Sequence, residues 1–170
     1  MIKIFLFHYT SISALPNIVR TGRLMLSESE LSPKRRMAGR PVVWLTKSDD
    51  PKSSGIMHDP TLQNLRDFDL IDKTRIRFKV ELPNKLVTRY RDWAKGQGID
   101  RNWLAHQMTF PGANSWFVTT RPIEMFCWRE VIDLQEDRAI WVAGPHAQLR
   151  GASDMNIEKE SLATEKESLS

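Results

Sequence analysis

A single cysteine, Cys127, excludes an internal disulfide and any cysteine-rich zinc site. The four histidines, His8, His58, His106 and His146, form no pair at three- or four-residue spacing. No His-Glu-x-x-His run occurs, so the chain offers no metal-ligand pattern, and no metal is expected. There is no Gly-x-Ser-x-Gly elbow, and Cys127 lies in an apolar stretch, which argues against a serine or cysteine hydrolase. Long hydrophobic runs are missing too. The opening apolar segment is interrupted by Lys3 and lacks the basic lead and cleavage pattern of a secretion signal, so no membrane association and a cytoplasmic location are expected. No internal repeat is visible, and nothing in the sequence sets an oligomeric state.

What is present is an ordinary globular composition, 41% hydrophobic and 27% charged, in 170 residues, enough for one domain with a sizeable core. The charge is uneven. Residues 151–170 carry five acids and two lysines and read as a polar acidic tail, leaving about +7 on residues 1–150, the single folded domain. A basic body fits an anionic partner such as a nucleic acid or a dinucleotide.

Ile2–Phe7 is a short β-forming run that ends at His8-Tyr9-Thr10-Ser11. Ile12, Leu15, Ile18 and Val19 then recur at helical spacing, with Ser11 or Ser13 placed to cap the helix and Gly22 placed to end it. An imidazole thus stands at a predicted strand end beside a helix start. Residues 27–41 read as a loop with Lys34, Arg35, Arg36 and Arg40. A guanidinium there suits a diphosphate, and Arg35, Arg36 and Arg40 remain equal candidates. Val42–Leu45 is a strand with Thr46 at its end, followed by a polar excursion to Asp69 with one helical turn near Leu62–Phe68. His58, within it, reads as a surface residue.

Arg75–Leu82 alternates basic and apolar residues, a half-exposed strand with Arg75, Arg77 and Lys79 on its outer side. Such a row can track phosphates, but a solvated face is the simpler reading. Leu86–Lys95 and Arg101–Met108 are predicted helices, anchored by Tyr90, Trp93, Trp103 and Leu104, with His106 a packing or capping residue. Trp116–Thr120, Glu130–Leu134 and Ala139–Val142 are predicted strands, the last two forming an antiparallel hairpin.

His8-Tyr9-Thr10-Ser11, Leu15-Pro16-Asn17-Ile18, Thr21-Gly22-Arg23-Leu24 and Val42–Thr46 together resemble the amino-terminal part of ADP-ribosyltransferase-fold enzymes, most of all the DarT-like nucleic-acid ADP-ribosyltransferases. The likeness covers the first 46 residues and, more loosely, the run from Glu130. It implies an α+β fold, a split antiparallel β-sheet core with flanking helices, and transfer of ADP-ribose from NAD to a nucleic-acid acceptor, as in toxins and phage–host conflict proteins. It also implies that Glu130 is the catalytic carboxylate, and that His8, Thr10 and Asn17 bind the dinucleotide. Tyr9 or Trp44 would stack on nicotinamide, with Thr46 nearby. A fixed carboxylate suits this chemistry, because positive charge grows on the ribose as nicotinamide leaves. The sequence departs from the pattern where Trp128 replaces the acid often found two residues before the glutamate, which argues against arginine-directed protein modification.

Two other functions fit the same fold. One is a non-enzymatic nucleic-acid- or protein-binding module that uses the basic face. The other is an RNA 2′-phosphotransferase, disfavoured because those enzymes use more basic residues in their core motifs.

Overall fold

The computed structural model describes residues 2–27, 29, 31, 39–55 and 72–143. Arg35, Arg36, His58, His146, the turn expected at Leu62–Phe68 and the 151–170 tail lie outside the described residues. The fold is mixed α+β. Seven strands form one sheet in the order β5-β6-β3-β1-β4-β8-β9, and every registered pairing in it is antiparallel. Their ranges are β1 Lys3–Thr10, β3 Val43–Thr46, β4 Ile76–Pro83, β5 Thr88–Arg89, β6 Trp116–Thr119, β8 Trp128–Asp133 and β9 Arg138–Val142. A two-stranded sheet pairs β2 (Arg23–Leu24) with β7 (Ile123–Glu124). The helices are α1 Leu15–Thr21, α2 Tyr90–Gly96 and α3 Arg101–Gln107.

Strand parity divides the sheet into two faces. β4 alternates buried and half-buried along its whole length, burying Ile76, Phe78, Val80 and Leu82 as its sequence predicts. That inner face, continued by Leu6, Val43, Leu45, Phe117 and Val131, packs against Leu15 and Ile18 of α1 and Leu24 and Ile123 of the small sheet. Among the described residues the opposite, outer face carries a second core at one end. There Val118, with Trp44 and Trp116, meets Tyr90 and Ala94 of α2 and Leu104 of α3.

Gly22 ends α1 at φ 65°, and its N–H reaches the carbonyls of Ile18 and Val19. Asp137 (φ 46°) closes the β8–β9 hairpin turn, one residue before β9 begins. Three expectations are corrected. β1 runs on through Thr10, so His8 pairs with Phe78 in mid-strand rather than marking a strand end, because β4 offers a partner at every position from Lys3 to Thr10. A 3-10 turn at Ile12–Ala14 precedes α1, and the Ser11 and Ser13 hydroxyls bond each other at 2.9 Å instead of capping an amide. The helix expected from Leu86 starts only at Tyr90. The β-branched Val87 and Thr88 lie at the edge of β6, and Thr88 pairs there with Val118.

Candidate functional site

β1 pairs with β4 over eight residues but with β3 at only one registered pair, Phe7 with Thr46. Beyond that pair the two strands part, leaving a seam with His8 on one side. The His8 ring crosses it, 2.9 Å from the carbonyl oxygen of Trp44. A carbonyl only accepts, so Nδ1–H donates and Nε2 keeps its lone pair. Burial lowers the pKa of His8 from its ordinary value, and the carbonyl bond only partly opposes this, so the ring is neutral at neutral pH. The ring is therefore held fixed and uncharged at this seam.

Tyr9 points to the outer face and donates its hydroxyl to the Ser48 carbonyl at 3.1 Å. Burial pushes the phenol pKa up, against the neighbouring Arg77 charge. Arg77 is the hub of this face. It donates to the Asp49 carbonyl at 2.8 Å, lies 3.4 Å from the Glu130 carboxylate, and sits over the Phe7 ring at 5.4 Å. Lys79 lies over the ring of Phe5, 5.3 Å from its centroid. Arg129 and Lys3 both pair with Glu81, whose pKa falls chiefly through the Arg129 hydrogen bond.

Glu130 is not the first residue of its strand. A register shift opposite Lys79 and Val80 makes Trp128 pair with Val80 and Glu130 with Lys79, leaving Arg129 as the extra residue. Trp128 therefore enters the inner core, edge-on to Phe78, while Glu130 points outward. His8 shares the register line of Phe78 and Val131, and Glu130 that of Phe7 and Lys79. The two residues thus lie on opposite faces, with β4 between their strands, about 10 Å apart laterally at usual strand spacing. The fold brings Glu130 beside Arg77 and, through it, near Tyr9, but not against His8.

Thr10 ends β1 opposite Ile76, half-buried. Asn17 is exposed on α1, its side-chain oxygen accepting from Arg20 at 2.7 Å. Trp44 contributes its ring to the outer core, 4.5 Å from Tyr90 and edge-on to Trp116. Thr46 is buried, bonded to the Ser115 hydroxyl at 2.8 Å and accepting the Ser48 N–H. Of the row expected on β4, Arg75 is consumed in a pair with buried Asp133, so only Arg77 and Lys79 continue along the face. Sequence reasoning did not single out Phe5 within the Ile2–Phe7 run, and it is 52% exposed. The alternation of Phe5 and Phe7 with Ile4 and Leu6 is the signal that could have found it.

Among the described residues no group of His, Cys, Asp and Glu could hold a metal ion, and no helix is long and apolar enough to cross a membrane. No protein-family model matches the chain, and no curated protein or solved structure matches it.

Proposed function

We propose that the chain is an NAD-dependent ADP-ribosyltransferase with a nucleic-acid acceptor, built on a split-sheet core of the ADP-ribosyltransferase kind. The neutral His8 at the parting of β1 and β3 is the observation that carries this. Its Nε2 suits a ribose hydroxyl, and its fixed orientation positions a sugar without adding positive charge beside it. NAD supplies an activated glycosidic bond between nicotinamide and ribose. As that bond breaks, nicotinamide leaves with the electron pair, a lone pair of the nucleic acid forms the new bond to the same carbon, and the attacking group's proton passes to solvent. The negative charge that favours this step is assigned to Glu130 from the resemblance. It lies on the outer face, paired with Arg77 and across β4 from His8, so it acts on the developing charge through its field rather than by touching the group that His8 holds.

The test is transfer of label from NAD to single-stranded DNA, duplex DNA or RNA. Wild type should label one pool, and Glu130→Gln should lower the rate by roughly 10²-fold or more. NAD binding should weaken as pH falls through the lowered His8 value, because the protonated ring no longer accepts, and His8→Ala should remove that dependence. Absence of both NAD binding and NAD turnover would sink the proposal.

A second function, a non-enzymatic nucleic-acid binder, is favoured by one specific observation. Phe5 and Phe7 stand on an outer face beside Lys79 and Arg77, a pairing of rings and cations suited to unstacked bases. Nucleic-acid binding that falls with salt and ignores NAD would select it.

A further inference from the structure

A second concave site lies beyond β3 from the seam, where β5, β6 and α2 meet. It is a cavity of about 380 Å³ whose walls include Arg40, Lys85 and Arg121, the hydroxyls of Thr88 and Thr120, and the Trp93 ring. Among the described residues no carboxylate lines it. Among the described residues none of the three cations has an ion pair, and all three are exposed. This differs from the outer sheet face, where Arg77 and Arg129 are each matched by a glutamate.

Three side chains distant in sequence converge there because the sheet turns its corners at that end. Arg121 follows β6, its N–H held by the Thr119 hydroxyl at 3.3 Å. Lys85 belongs to the 3-10 turn Asn84–Leu86 between β4 and β5. Arg40 precedes β3. Converging like charges repel each other, so a cluster with no acid among its described walls is best satisfied by an anion. Two guanidinium groups favour oxygens in a forked arrangement, as phosphate presents, and the hydroxyls supply further donors. Trp93, half-buried at the wall, offers a flat apolar surface to a planar ring.

We infer that this cavity binds a nucleotide unit, its phosphate among Arg40, Lys85 and Arg121 and its base against Trp93. The ligand chemistry is a phosphate ester bearing a heterocycle, supplied either by a free nucleotide or by a unit of a nucleic-acid strand. The inference does not depend on the transferase proposal, since β3 separates the cavity from the His8 seam and binding here requires no turnover.

The experiment is equilibrium binding, by calorimetry, of ADP, a short single-stranded oligonucleotide, adenosine and inorganic phosphate to the full chain and to Arg121→Ala, Lys85→Ala and Trp93→Phe. ADP or the oligonucleotide should bind, adenosine should not, and each cation variant should weaken binding roughly tenfold or more. The tighter of ADP and oligonucleotide identifies the source. Trp93→Phe should weaken both but leave inorganic phosphate unchanged. Thermal unfolding of each variant establishes that the fold is intact, and Arg121→Lys should recover part of the binding if Arg121→Ala does not fold. Equal binding of adenosine and ADP would overturn the inference, as would unchanged affinity in folded cation variants. Inorganic phosphate binding as tightly as ADP would overturn the nucleotide class.

Discussion

The outer face of one sheet is treated in two ways along its width. At the β5-β6-β3 end it is covered by α2 and α3, with Tyr90 fully buried and Trp44, Trp93 and Trp116 packed around it. At the β1-β4-β8 end no helix covers it among the described residues, and it carries Phe5, Lys79, Arg77 and Glu130. The strands at the two ends differ in sequence: β4 alternates apolar and charged residues, whereas β3 and β6 are near-continuous apolar runs. The difference lies in what the outward positions hold. Aromatic residues on neighbouring strands create a surface that must be buried, whereas alternating cations and acids can stay in water. Among the described residues, buried aromatic packing is therefore concentrated at one end of this face, and charged groups at the other.

The sharpest way to break the comparison is at Tyr90. Tyr90→Ala should destabilise the protein by about 3–5 kcal/mol, as a large aromatic deletion leaves a cavity and strips Gln107 of its 2.5 Å hydroxyl partner. Urea unfolding would measure it, and a loss under about 1 kcal/mol would mean that the covered end is not the stabilising one.

Asp133 comes next, since it fastens the uncovered end from within. It is 1% exposed and accepts three hydrogen bonds from Arg75 and two from the N–H groups of Gln135 and Glu136. Burial pushes its pKa up, but the Arg75 bonds and charge, with the two backbone bonds, outweigh this and hold it below 3.8. Because the folded value is depressed, the stability it contributes is present above pH 3.8 and is lost as pH falls through the folded value. Asp133→Asn should cost about 3 kcal/mol at neutral pH, by removing the buried carboxylate that pairs with Arg75, and should flatten the acid limb of the stability curve. An unchanged acid limb in that variant would show that other carboxylates control it.

The smallest expected effect sharpens the contrast. Phe5→Ser removes an exposed ring, so its unfolding midpoint in urea should correspond to a change within about 0.5 kcal/mol. A change of several times that size would mean that the ring is covered in solution.

Much of this was legible locally. The β4 alternation, the Gly22 stop, the β8–β9 hairpin and the anchors Tyr90 and Leu104 each follow from residues within a few positions of one another. β2 and β7 were not legible, because two-residue strands have no period to detect and exist only by pairing with each other. Arg75 was read as part of a solvated row because its partner, Asp133, lies 58 residues away.

The sequence by itself determined which segments alternate, where the first helix ends, and that Glu130 occupies a strand, whereas the continuation of β1 through His8 and Tyr9 came only with its β4 partner. Only the tertiary structure decided which way they face. Side chains in a strand change sides at every residue, so a single extra residue reverses all that follows. The bulge at Arg129 sends Trp128 inward and Glu130 outward, and it exists because β8 must satisfy the β4 ladder on one side while burying an indole on the other. The β1–β3 seam is likewise a property of two strands that meet at one pair and then part, which neither strand records in its own residues.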